Sequence, residues 1–122
     1  MYELIINNSR YFKIEQEKSD YYLISLGPFT LLPGHTKLNT LVELNFDRQF
    51  ICLFELERRP IDHGLILQAV DFPENILHFD VINLKNTPFF VEANTRIAKI
   101  NFTKKQFLDS YIIFKNCEIN QQ

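Results

Sequence analysis

Glycine is scarce. Gly27, Gly34 and Gly64 are the only three in 122 residues, and none follows position 64. A backbone cradle for phosphate needs several glycines together, because side chains block the approach of oxyanions to successive N–H groups. No GxGxxG or GxxxxGK(S/T) pattern is present, which excludes the Rossmann and P-loop nucleotide sites. Cysteine is limited to Cys52 and Cys117, whose spacing demands no disulfide and fits a reducing, intracellular setting. His35, His63 and His78 stand singly, without CxxC or HExxH spacing, so no zinc set is expected. The Ser, His and Asp residues are dispersed without a GxSxG elbow. An excess of positive charge is also missing: 13 Lys and Arg face 15 Asp and Glu, for a net charge of −2. That balance gives no electrostatic footprint for nucleic acid. No apolar run approaches the ~20 residues of a membrane span, and the N-terminus MYELIINNSRYFK shows no secretory leader. The expectation is one intracellular domain over 1–122, with no cofactor, no metal, no nucleic-acid partner and no membrane.

What the chain does have is apolar content, 46% of residues, arranged with a period of two. Leu38, Thr40, Val42, Leu44 and Phe46 fall on one face of a strand, and Asn39, Glu43 and Asn45 on the other, with Leu41 out of step. Leu77, Phe79 and Val81 alternate with His78 and Asp80 in the same way. Turn signals separate such runs: Gly27-Pro28, Pro33-Gly34, Pro60 through Gly64, Phe72-Pro73-Glu74-Asn75 and Asn86-Thr87-Pro88. Their spacing of roughly 8–15 residues is that of an all-β sandwich or barrel. Strands are expected at 2–6, 10–15, 20–26, 29–32, 36–46, 49–57, 64–70, 76–83, 89–92, 96–102 and 110–115, with a possible helical turn over 103–109. Leu38, Val42, Leu44, Leu77, Phe79, Val81, Ile97 and Ile100 are the expected core.

From Asn83 the chain reads NLKNTPFFVEANTRIAKINF, which resembles the late motif of trimeric dUTPases. Asn83, Phe89, Val91, Arg96, Ile97, Ala98, Ile100 and Phe102 fit that pattern without a gap. Asn94 stands in place of the usual turn glycine, and asparagine tolerates positive φ better than most residues. Upstream, LLPGHTKLNTLVELNF resembles the family's Pro-Gly step and the long strand after it, and Asp20 precedes Pro33 at the family's distance. The resemblance is strongest over 20–102. It implies an all-β, dUTPase-like jelly roll or β-barrel that forms a homotrimer. Asp20, Arg59, Asp71, Asn83 and Arg96 are the residues that match the family's motifs.

The same resemblance marks what is missing. Where the family has Pro-Arg-Ser-Gly for phosphate, this chain has Arg58-Arg59-Pro60-Ile61, and proline offers neither hydroxyl nor N–H. The hairpin that reads uracil, with its tyrosine platform and flanking glycines, is reduced to AVDFPENIL, in which Asp71 alone corresponds. The Gly/Ser-rich closing arm is absent, since 103–122 contain no glycine and one serine, Ser110. Asp20 by itself makes a weak Mg²⁺ site.

Each retained residue also has a structural reading. Arg96 suits a carboxylate contact at a strand start, Asp71 a turn before Phe72-Pro73, and Asp20 a strand end. Arg58 and Arg59 with Glu55 and Glu57 suit a solvated cluster. The functional expectation is a non-enzymatic, dUTPase-derived viral protein that acts by protein–protein interaction or assembly, with catalytic residues none. Its protein partner is not specified by the sequence, and its place is the host cytoplasm or nucleus. The alternatives are a diverged nucleotide-binding protein or dUTP hydrolase, and a structural virion component. The strand at 110–115 is expected to cross onto a neighbouring subunit.

Overall fold

Alternating apolar residues bury only one face of each strand, so they fold as two sheets laid face to face. The structure, a computed structural model, describes residues 4–105. The strands are β1 (Leu4–Asn7), β2 (Phe12–Glu17), β3 (Asp20–Ser25), β4 (Phe29–Leu31), β5 (Gly34–Phe46), β6 (Phe50–Leu56), β7 (Leu65–Asp71), β8 (Ile76–Asn83), β9 (Phe89–Val91) and β10 (Thr95–Lys104). One sheet has the order β1-β5-β8-β7 and the other β2-β3-β10-β6, while β4 and β9 form a separate pair. Every pairing among them is antiparallel. Among the described residues no helix is long and apolar enough to cross a membrane.

The expected strands within 4–105 all form, with ends shifted by a few residues. Thr103 and Lys104 continue β10 and Lys105 is helical, while the rest of the turn expected over 103–109 and the expected strand at 110–115 lie outside the described residues. The stretch read as a turn from Pro60 is instead a short helix, α1 (Arg58–His63). Gly64 ends it at φ 113° and donates its N–H to the Ile61 carbonyl, a left-handed stop that glycine adopts without Cβ cost. Asn94, at φ 61°, makes the turn into β10 and donates its N–H to the Ser25 carbonyl at 2.6 Å.

The core lies between the two large sheets. Val42, Leu44, Leu77, Phe79, Val81, Ile97 and Ile100 are buried in it, together with Leu23, Leu56 and Ala98. Leu38 is a partial correction: it packs against the core but is only half-buried, because it lies beside an apolar cleft shared with Phe29 and Tyr11. Leu41 breaks the alternation for a physical reason. Between Asn39 and Glu43 the register with β8 slips, with two extra residues on β5. Leu41 sits in that bulge at φ 59°, with its side chain half exposed. An even-numbered insertion preserves the inward phase of Thr40, Val42, Leu44 and Phe46. The Thr40 hydroxyl fills the gap in the ladder, donating to the Leu77 carbonyl at 2.8 Å and accepting from the Val42 N–H at 3.1 Å.

Candidate functional site

The five motif residues fall in four places. Asp20 and Arg96 share the outer face of the β2-β3-β10-β6 sheet, because each alternates with an inward-facing neighbour. Arg96 is ion-paired with Glu17 and lies over the Tyr22 ring at 4.0 Å. The hydrogen bond to Glu17 raises the already high guanidinium pKa further. Asp20 faces the Lys99 ammonium at 3.5 Å. Close by, Lys13 reaches Glu15 at 2.9 Å and, by that bond, holds the carboxyl below its usual range. The face is a set of exposed ion pairs, each contributing little to stability.

Asp71 lies at the end of β7 on the outer face of the other sheet, where Lys37 stands 3.8 Å away. The tight hairpin after it holds Glu74 and Asn75 at positive φ, and Phe72 turns back edge-on against Phe46 with centroids 5.6 Å apart. Arg59 is on α1, its guanidinium 5.5 Å from the centroid of Phe89, while Arg58 reaches Asp62 at 3.7 Å. Pro60 is buried in the same helix. Asn83 points inward and is buried. Its amide donates to the carbonyls of Leu31 and Thr87, and its oxygen accepts from the Lys85 N–H, all at 3.0–3.1 Å. It ties β8 to β4 and to the turn before β9.

A cleft of about 520 Å³ separates α1 from β6 and β10, lined by Glu55, Glu57, Arg58, Ile61, Asp62 and Lys99. Its two cations are engaged, Arg58 with Asp62 and Lys99 with Asp20, while Glu55 and Glu57 line it without an ion pair among the described residues. Like-charge repulsion disfavours a polyphosphate there. Among the described residues no three His, Cys, Asp or Glu side chains converge in a way that could hold a metal ion. The ion-pair partners of Arg96 and Asp20 are 79 residues away in the chain, so no local pattern announces them. The carboxylate contact expected for Arg96 forms at the start of β10, but its partner Glu17 is not legible from residue spacing.

Cys52 is favoured in its protonated thiol form by burial. It packs half-buried against the core, and desolvation pushes its thiol up from 9.0 to about 12. The unfolded chain then loses the thiol proton near pH 9 while the folded chain keeps it, so this residue lowers stability as pH rises from 9 to about 12. Below pH 9 it has no effect, since both states are protonated. Chemical denaturation of the wild type and a Cys52→Ala variant between pH 8 and 11 measures this. The wild type is expected to show the steeper fall, by at most about 1.4 kcal/mol per pH unit. Parallel curves would contradict it.

Comparison with solved structures gives the class. The native dUTPase of EIAV superposes with a TM-score of 0.62 at 10% identity, over 84% of this chain and 88% of that one. The chain therefore has a dUTPase-like all-β fold. No protein-family model matches the sequence, and no curated protein matches it either.

Proposed function

We propose that this chain is a non-enzymatic dUTPase-fold protein of viral origin, working as a homotrimer through protein–protein contacts inside the host cell. The observation that carries this reading is the pairing of the motif residues with their own chain. Arg96 is engaged by Glu17 and Tyr22, and Asp20 by Lys99. Asp71 stands on the opposite sheet beside Lys37, and Asn83 is committed to backbone groups. Binding a triphosphate in the cleft beside α1 would require freeing Lys99 from Asp20 and Arg58 from Asp62 next to Glu55 and Glu57, with Pro60 where the family's motif has its serine. Calorimetric titration with a non-hydrolysable dUTP analogue and Mg²⁺ is expected to show no binding heat at micromolar protein. A micromolar or tighter Kd would overturn the reading.

Assembly is supported by apolar surface. Leu32, Leu84 and Phe90, near the β4–β9 end of the molecule, are each more than half exposed, and such surface is usually covered by a partner. Light scattering at tens of micromolar is expected to give three times the 14.5 kDa subunit mass. A monomer mass would remove the trimer from the account. The second reading, a diverged dUTP hydrolase, is favoured by one observation, the likeness to a protein whose name is dUTPase.

A further inference from the structure

We propose that residues 110–115 of this same chain add as a further strand along the outer edge of β6 and close the apolar groove between β6 and β7. Among the described residues, β6 pairs only with β10 and β7 only with β8, so the two sheets end side by side with open edges. An open edge presents a row of unpaired N–H and C=O groups, a template for one more strand. Between these edges runs a groove of about 320 Å³ lined by Phe54, Leu56, Ile61, Leu65, Ile66 and Leu67. Ile61 and Ile66 are about half exposed, and so is Leu53, on the outer side of β6. An edge strand placed there would need apolar residues on both faces.

The segment Ser110-Tyr111-Ile112-Ile113-Phe114-Lys115 has that property, with Ile112 and Phe114 on one face and Tyr111 and Ile113 on the other. The described chain also ends in the right place. Lys104 is opposite Phe50 at the start of β6, and the Lys105 N–H donates to the Gln49 carbonyl at 2.8 Å. Passing from β10 across β6 to its far edge covers two strand spacings, about 9–10 Å. Lys105 is helical, and the five Cα steps from it to Ser110 reach at most about 18 Å when extended, which is enough to span the crossing. Six further residues then run about 20 Å along β6, which brings Lys115 level with Glu55 on the groove's rim. The short tether raises the local concentration of the segment at its own chain's edge over that of a second copy; a crossing onto a neighbour is the competing outcome of the test.

The test uses the full chain with Cys52→Ala, leaving Cys117 as the sole thiol for a nitroxide label. Amide NMR signals of β6 and β7 are expected to lose most of their intensity, while those of β1 keep theirs. The loss should persist when the labelled chain is diluted into a large excess of unlabelled chain. The double variant Ile112→Asp and Phe114→Asp should restore the β6 and β7 signals without moving those of β8. Unperturbed β6 and β7 signals in the labelled parent would overturn the proposal. So would a loss that disappears on dilution, which would make a second copy the occupant, or a loss that survives the double variant.

Discussion

Replacing Phe79 by alanine is expected to lower the stability of the folded chain by about 3–5 kcal/mol, the usual cost of emptying a well-packed aromatic site. Phe79 is the largest fully buried side chain among the described residues, at the centre of β8, and packs at a tilt against Phe54 from the opposing sheet with centroids 5.1 Å apart. Its removal takes a bridge between the sheets and leaves a cavity whose walls are strands held in register on both sides. A domain of this size should lose on the order of 20 °C in Tm. Leu53→Ala, at a half-exposed position on the same β6 that bears Phe54, should cost well under half as much. Differential scanning calorimetry of both variants separates these outcomes, and equal losses would contradict the placement of the core.

Asn83→Ala is expected to cost about 1–3 kcal/mol, because three backbone groups, one in a buried bond and two in part-buried ones, lose their partner at once. The carbonyls of Leu31 and Thr87 lose a donor and the Lys85 N–H loses an acceptor. Asn83→Asp keeps the acceptor but turns a carboxylate oxygen toward the two carbonyls, so it should be no better than alanine at neutral pH and recover in part at acid pH. Urea denaturation at pH 7 and pH 4 reads both. An Asp variant as stable as the wild type at pH 7 would contradict the hydrogen-bond assignment.

Much of this was legible in the sequence because strands bury residues with a simple period. The run Leu38 to Phe46 announced β5, and Leu41 stood out of step, but the bulge that explains it came only with the pairing to β8. Asn94 announced a positive φ. The short helix α1 was not legible, since Arg58-Arg59-Pro60 carries no apolar period and reads equally as a turn. Nor were the partners of Arg96 and Asp20, which depend on how β2, β3 and β10 align. Alternation tells which face of a strand is buried, but not which strand lies beside it. The resemblance over 20–102 identified the fold, and the charge pairing that neutralises the retained motif residues came only with the three-dimensional arrangement.

Steady-state release of pyrophosphate from dUTP with Mg²⁺ tests the central claim most directly, with the dUTPase of EIAV as positive control. The account predicts a rate equal to the protein-free blank for this chain, at a concentration where the control turns over freely. Turnover in the ordinary enzymatic range, about 1 s⁻¹ or faster, would contradict it.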